Sequence, residues 1–357
     1  VLGRGGRRSN RRHIRVITAA PLPRRAATRP GALPAAFAGD GMWIWYVAKS
    51  DGGNLDAIAS RGRAAAVGTV FVKSADGATV WNQFSPQLVA DLHARGLRVC
   101  AWQFVYGADP LAEARAAVAS IAAGADCFVI DAETAYEGRY AAAQRYVAAL
   151  RAAVGPDYPV GFTSFPYVDY HPRMPYSVFL GPGGAQANIP QVYWKAIGGT
   201  VDAVSAKTVA NNRIYRTPIA PLGQSYGSPS ASELRRFRAI WAGYGAGGLS
   251  WWSWQATGSA AWAALTEPPP APVVLPDPGW PALNTGSRGD QVIWLQQHLA
   301  SADPTVALDG RFSAATEDAL KAFQTARGLA ATGQTDAATW QALLTVPLRP
   351  VDWTAVG

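Results

Sequence analysis

Two acidic side chains follow an apolar run near the middle of the chain, in the segment Ala125-Asp-Cys-Phe-Val-Ile-Asp131-Ala-Glu133. In a strand, residues two apart point to the same face and lie about 7 Å apart. Two such carboxyl groups repel each other when they are partly removed from water, and the pKa of one of them rises. The pattern therefore predicts Glu133 as a general acid for a glycosidic oxygen, with Asp131 holding it or orienting a reacting group.

Aromatic and amide side chains at the ends of other apolar runs favour this interpretation over one in which the acids cap the next helix or pair with Arg139. Flat aromatic faces stack on sugar rings, and amides and phenols form hydrogen bonds with sugar hydroxyls. The predicted substrate-binding residues are Gln103, Tyr106, Gln191, Tyr193, Trp252 and Trp254.

Eight apolar runs provide the elements that would position these side chains. They are Met42–Val47, Val67–Lys73, Leu97–Val105, Ala125–Asp131, Tyr158–Phe165, Ile189–Trp194, Ile214–Leu222 and Gly247–Trp252. Helical patterns such as Pro110–Ala123 and Arg139–Val154 lie between them, although the fifth and sixth connections are less regular. The pattern predicts an α/β fold, a (β/α)₈ TIM barrel over residues 42–266, with its site at the carboxyl ends of the strands. A doubly wound sheet is the alternative, but Asp51-Gly-Gly-Asn54 is not the glycine-rich phosphate loop that it would need.

The segments outside the barrel have simpler compositions. Residues 1–41 hold nine Arg and one Asp, which accounts for the formal net charge of +8 of the 357-residue chain. Because this basic arm has no helical or strand period, we expect it to be disordered rather than to bind nucleic acid. The Pro-rich residues 267–281 predict a semi-rigid linker between independent modules, and residues 347–357 form a tail.

Residues 282–346 show a three-helix pattern. Asp290 and Asp336 are predicted helix caps, Asp309-Gly310 a turn, and the apolar positions a core. The predicted core residues are Val292, Leu295, Leu299, Ala319, Leu320, Phe323, Trp340 and Leu343. The segment resembles the small peptidoglycan-binding domain at the ends of bacterial and phage cell-wall enzymes, and this resemblance implies peptidoglycan glycan as the ligand.

The barrel resembles the Asp-x-Glu barrel glycoside hydrolases, among them family 18 chitinase-like enzymes and family 25 lysozymes. Asp126, Asp131 and Glu133 fall on the family 18 spacing Asp-x-x-Asp-x-Asp-x-Glu, which Val129 interrupts. Of the sixth-strand Met-x-Tyr-Asp only Tyr193 is present, and the first strand lacks the Asp of family 25. The resemblance implies that the acetamido group of the substrate acts as nucleophile, oriented by Asp131 and steadied by Tyr193.

The remaining composition argues against several classes of protein. Two Cys are too few for a disulfide framework, and buried free thiols are expected at Cys100 and Cys127, with a bridge between them left open. The four His lack metal-ligand spacing, so neither a metal nor a cofactor is predicted. No apolar run approaches the roughly 18 residues of a membrane span, which favours a soluble protein that does not bind membranes.

These observations favour a monomeric cell-wall glycoside hydrolase located outside the cell or in the cell wall, although no export signal is visible. Two alternatives stay open. One is a non-catalytic glycan-binding protein of the cell wall or spore envelope. The other is a hydrolase of a peptide or amide bond, against which the missing zinc ligands and the missing Gly-x-Ser-x-Gly motif argue.

Overall fold

Eight parallel strands form the centre of the structure, a computed structural model that describes residues 31–355. Their bounds are β1 (Gly39–Ile44), β2 (Val67–Asp76), β3 (Arg98–Val105), β4 (Cys127–Ala132), β5 (Val160–Thr163), β6 (Ala187–Asn188 and Gln191–Val192), β7 (Leu222–Gln224) and β8 (Gly248–Trp252). Thr79–Val80 adds a short antiparallel extension to β2. β6 is interrupted at Pro190, because proline has no N–H to donate to a ladder.

The strands close into a barrel. β1 pairs with β2 on one side and with β8 on the other. The first piece of β6 pairs with β5 and its second piece with β7, so the ladder continues around the whole ring. The predicted (β/α)₈ architecture is therefore confirmed.

Helices surround the barrel, and three more follow it. Their bounds are α1 (Leu55–Ala64), α2 (Pro86–Ala94), α3 (Pro110–Ala122), α4 (Tyr140–Val154), α5 (Tyr176–Phe179), α6 (Val201–Asn212), α7 (Ala231–Gly243), α8 (Ser259–Leu265), α9 (Asp290–Ala302), α10 (Ala314–Ala326) and α11 (Ala337–Leu343). Ser85 and Asp109 cap α2 and α3, and a proline occupies the first turn of each helix. This combination fixes where the two helices begin, because proline fits the first turn and the cap accepts a free N–H. None of the described helices has both the length and the apolar character needed to cross a membrane.

The barrel begins earlier than the sequence predicts. Residues 1–30 lie outside the described part of the chain, but residues 31–41 do not form the disordered arm that we expected. Ala36 and Phe37 are buried, and the ring of Phe37 stacks on Phe71 inside the barrel, with 6.3 Å between ring centroids. Arg98 donates to the carbonyl oxygens of two residues of this segment, at 2.9 Å each. A short apolar segment without a period can thus still fill the end of a barrel.

The expectation of free thiols is wrong. Cys100 on β3 and Cys127 on β4 are direct partners in the parallel register, with 4.5 Å between their Cα atoms, and they form a disulfide. Both point into the barrel, where neighbouring inward-facing side chains meet.

The Pro-rich segment does not separate two modules. Its Val273 donates a backbone hydrogen bond to a carbonyl of α7. Arg213 forms an ion pair with Asp277 and lies over the ring of Trp280, 4.3 Å from its centroid. The segment therefore lies against the barrel and leads directly into α9.

The three C-terminal helices enclose most of the predicted core residues, and Asp336 caps α11 as predicted by accepting from Thr339 N. The predicted cap at Asp290 is wrong. Gly289 precedes α9, and the Asp290 carboxylate accepts instead from the backbone N and the hydroxyl of Ser177, on the barrel. Docking against the barrel has recruited this side chain, and the three-helix pattern by itself gave no sign of it.

Candidate active site

A cleft of about 250 Å³ lies at the carboxyl ends of the barrel strands. It contains five of the predicted site residues, namely Asp131, Glu133, Gln191, Tyr193 and Trp252. The other lining residues are Trp43, Trp45, Lys73, Trp102, Phe104 and Leu222.

The two acids lie at different depths. Asp131 is on β4 and is buried, whereas Glu133 follows the strand and is half-buried. The amide nitrogen of Gln191 donates to Glu133 Oε1 at 2.9 Å and lies 3.5 Å from Asp131 Oδ1. One amide thus holds both carboxyl groups on the same side of the cleft.

Neither Asp131 nor Glu133 caps α4, the helix that follows them. α4 begins after Arg139, whose guanidinium donates to the carbonyl oxygen of Gly107 at 3.1 Å. Glu133 precedes a single 3₁₀ turn and makes no side-chain cap there. The alternative in which the acids cap the next helix or pair with Arg139 is therefore not what the structure shows.

Burial raises the pKa of Asp131 well above its ordinary value, and the nearby charge of Glu133 raises it further. Lys73 acts in the opposite direction, but burial is the larger effect. The sequence assigned the transferable proton to Glu133, whereas the structure favours the protonated form at the deeper residue, Asp131. A protonated carboxyl can donate a hydrogen bond to a substrate atom, which a carboxylate cannot do.

Lys73 is a cleft residue that sequence reasoning missed. Its Nζ lies 2.5 Å from Asp76 Oδ2 and within about 5 Å of the ring centroids of Trp81, Trp102 and Trp45. The residue is only 3% exposed, so its charge acts on the cleft with little screening by water. The sequence does contain a signal, since Lys73 lies two residues after the inward-facing Phe71 and so faces the same side of β2, but its place at the end of an apolar run gives no indication of a cleft.

Tryptophan rings form much of the cleft wall. Trp43, Trp102 and Trp252 contact one another, with ring centroids 5.4 to 5.7 Å apart, and Trp45 extends the group outward from Trp252. Trp43 Nε1 donates to the Ser250 hydroxyl at 3.0 Å, which fixes the orientation of its ring. Trp43 and Trp102 are almost fully buried, so the partly exposed rings of Trp45 and Trp252 are the ones that can stack on a sugar ring. The sequence predicted only Trp252 of this wall, because the other three tryptophans lie inside or beside runs that indicate core.

Tyr193 is half-buried beside the acids, and its ring meets that of Tyr226 edge to face, with 5.5 Å between centroids. Burial, followed by the nearby charge of Asp131, raises the pKa of its phenol well above the ordinary value. The phenol therefore keeps its proton and can donate a hydrogen bond into the cleft.

Two predicted residues lie outside the cleft, and one lies near its rim. Gln103 points outward from β3 and is buried, its amide donating to the carbonyl oxygens of Gly77 and Glu113. Trp254 leaves the strand in a 3₁₀ turn and packs on Trp262, so its assignment to a sugar platform is also wrong. Tyr106 is 42% exposed and donates to Asp76, the ion-pair partner of Lys73.

The described part of the chain contains no candidate metal site. No group of three or more His, Cys, Asp or Glu side chains between residues 31 and 355 is arranged to hold a metal ion. What the cleft offers is two adjacent carboxyl groups at different depths, an amide, a phenol and an aromatic wall.

Known proteins resemble the two parts of the chain separately. Residues 288–343 match the family described as "Putative peptidoglycan binding domain". No curated protein sequence matches the chain.

Solved structures resemble the barrel. Chitinases from Chromobacterium violaceum and Pseudomonas fluorescens are 15% and 11% identical to the chain, with TM-scores of 0.46 and 0.49, and each match covers 64% of this chain and 98% of the other. The spore cortex-lytic enzyme of Bacillus cereus is 10% identical with a TM-score of 0.47, over 64% of this chain and 73% of that one.

Proposed function

We propose that this protein is a cell-wall glycoside hydrolase that cuts N-acetylated glycan of peptidoglycan, and that its C-terminal helices hold it on that polymer. The observation that carries the proposal is the pairing of Asp131 with Glu133 in a cleft walled by tryptophan. Neighbouring carboxyl groups in unequal surroundings are the arrangement that glycoside cleavage needs. The family match of residues 288–343 supports peptidoglycan as the polymer.

In this proposal the proton held at Asp131 moves to Glu133, the more open acid, which gives it to the leaving glycosidic oxygen. Asp131 and Glu133 are the only carboxyl groups among the residues that line the cleft. Because Asp131 is buried and favoured in its protonated form, we assign the attack on the anomeric carbon to the acetamido oxygen of the substrate. Asp131 orients that acetamido group, and the neutral phenol of Tyr193 donates a hydrogen bond to it. Glu133, now a carboxylate, then removes a proton from the water that opens the cyclic intermediate.

The disulfide supports a place of action outside the reducing cytosol. Stable disulfides persist mainly in secreted, periplasmic and cell-surface proteins, because cytosolic thiols keep cysteines reduced. Cys100 and Cys127 are joined in the barrel interior. We therefore propose an extracellular or cell-wall location, which agrees with the polymer that the C-terminal helices are proposed to bind.

The decisive experiment follows the chemical product of the reaction. The purified full-length protein is incubated with insoluble peptidoglycan, and new reducing ends are measured together with the loss of turbidity. We expect reducing ends to appear with the parent protein and to be nearly absent with Glu133→Gln. Release of new amino groups in place of reducing ends would indicate an amidase or peptidase. Sedimentation with the polymer and no product of either kind would leave the non-catalytic glycan-binding alternative.

A further inference from the structure

The ring of helices around the barrel is incomplete at one position. The connection from β5 to β6 spans residues 164–186, and apart from a 3₁₀ turn at Val168–Tyr170 its helical structure is α5, a four-residue helix. The neighbouring helices α4 and α6 have 15 and 12 residues. A single turn cannot cover the outer face of two barrel strands, although Phe162 on β5 is fully buried.

The first C-terminal helix, α9, fills this position. Every residue from Asp290 to Ala300 is buried. A helix on the surface of a small module normally keeps one polar face exposed to water. Gln291 donates to the backbone carbonyl of Asn211 in α6 at 3.2 Å, and Trp294 Nε1 donates to the carbonyl oxygen of Ile214 at 2.9 Å. On the other flank, Gln297 and α4 residues line a common cavity.

The direction of α9 is also that of a barrel helix. Its first residue donates to the carbonyl oxygen of Pro172, in the loop that follows β5. His298, in the second half of α9, lines a pocket together with Leu180 and Arg216. Leu180 lies in the segment that leads into β6, and Arg216 lies in the segment that leads into β7. The helix therefore runs from the carboxyl edge of the strands towards the amino edge, antiparallel to them, as the outer helices of such a barrel do.

Asp290 fixes the register of the docked helix. Its Oδ2 accepts from the backbone N of Ser177 at 2.9 Å and from the hydroxyl of Tyr215 at 2.7 Å, and its Oδ1 accepts from the Ser177 hydroxyl at 2.7 Å. All three donors belong to the barrel. Because hydrogen bonds need specific distances and angles, these three contacts are made only when the helix is docked in this one position.

We infer that the C-terminal module has a second function, in which its first helix serves as the fifth outer helix of the barrel, so that the barrel and the module unfold as one cooperative unit. The inference concerns stability and does not depend on the proposed hydrolysis. A tethered module that merely anchors an enzyme would instead unfold without affecting the cleft.

Native-state hydrogen exchange of the full-length parent protein tests the inference without any substitution. With increasing denaturant, the free energies of opening of the Val160–Thr163 amides in β5 and of the amides in the middle of α9 should converge to one value at the same denaturant concentration. Exchange of the α9 amides at lower denaturant, while the β5 amides stay protected, would overturn the inference.

A substitution far from the barrel provides the second measurement. Leu320 lies in α10 and is fully buried. We expect Leu320→Ala in the full chain to lower the denaturant midpoint of the β5 amides together with that of α9. The matched control is Val274→Ala, since Val274 is 81% exposed and should leave both midpoints unchanged. A Leu320→Ala protein in which only the module amides shift would show that the module folds independently.

Discussion

The two acidic residues are only two positions apart along the chain, but their surroundings differ. Asp131 is enclosed by the barrel, whereas Glu133 lies beyond the end of β4 and accepts from Gln191 at 2.9 Å. The deeper group is favoured in its protonated form, and the shallower group is the one that a sugar chain can reach. Their roles follow from position rather than from residue type.

The Glu133→Gln substitution keeps shape and hydrogen bonding but cannot transfer a proton. We expect turnover on peptidoglycan to fall by about 10² to 10⁴, with the melting temperature and the sedimentation with the polymer nearly unchanged. Glu137→Gln is the matched control, since Glu137 pairs with His171 and does not line the cleft. Turnover within a few-fold of the parent would show that Glu133 is not the acid.

The Asp131→Asn substitution should separate activity from stability. Because the folded pKa of Asp131 is raised, the folded state binds more protons than the unfolded state above the ordinary pKa of 3.8. The free energy of unfolding contributed by this group is therefore highest at low pH and decreases as the pH rises through the folded pKa.

An asparagine does not titrate, so the Asp131→Asn variant should gain stability relative to the parent as the pH rises above the ordinary pKa of 3.8 and through the raised folded pKa, while its turnover falls. Denaturant titrations at several pH values measure this difference. A variant that loses stability equally at every pH would assign Asp131 a purely structural role.

At the scale of elements, the sequence was sufficient for the strands that carry the acids but not for which way every side chain points. The run ending in Asp131 predicted β4 and its chemistry, because the strand is apolar up to the residue that lines the cleft. Gln103 was misplaced because a shift of one residue reverses the face of a strand. The predicted strand Ile214–Leu222 is mostly a 3₁₀ turn and a loop, and only Leu222 belongs to β7.

Substitutions of Trp252 and Trp254 test whether the two side chains point in the directions that the structure shows. The two residues are only two positions apart but lie in different surroundings. Trp252→Ala should weaken glycan binding and raise KM by about tenfold, with a small change in melting temperature, because its ring forms cleft wall. Trp254→Ala should lower the free energy of unfolding by about 3 to 5 kcal/mol. The reason is that the Trp254 ring packs on Trp262 and its indole N–H donates a hydrogen bond to Asp51. Kinetics and thermal unfolding of both variants check this, and a reversed pattern would contradict the assignment of the cleft wall.

At the scale of the whole molecule, segments that look independent in the sequence are packed together. Composition marks residues 267–281 as a linker because it excludes helix and sheet, but it does not reveal whether the segment lies against a neighbouring surface. In the same way, the apolar pattern of α9 does not show that its remaining polar side chains, such as Asp290 and Gln291, have partners on the barrel. Contacts between distant segments leave no periodic signal in either segment.

The amino-terminal segment provides a test at this scale. Phe37 fills the end of the barrel, so Phe37→Ala should lower the free energy of unfolding by about 3 to 5 kcal/mol. A chain that lacks residues 1–38 should be destabilised at least as much, whereas removal of a disordered arm would have no effect. Denaturant unfolding with Val274→Ala as the control measures both effects. An unchanged midpoint in the truncated chain would show that this segment does not contribute to the folded barrel.

The disulfide between Cys100 and Cys127 also constrains the order of events during biosynthesis. Neither cysteine has any exposed surface in the folded barrel, and thiol exchange requires an attacking thiolate to reach a sulfur atom. We expect the folded protein to keep its bridge in reductant and to release two labelled thiols only when denaturant is added. For the same reason the bridge must close before the barrel does, with an oxidant present while the chain is still open. A chain that folded first in a reducing compartment would enclose two thiols that no later oxidant could reach.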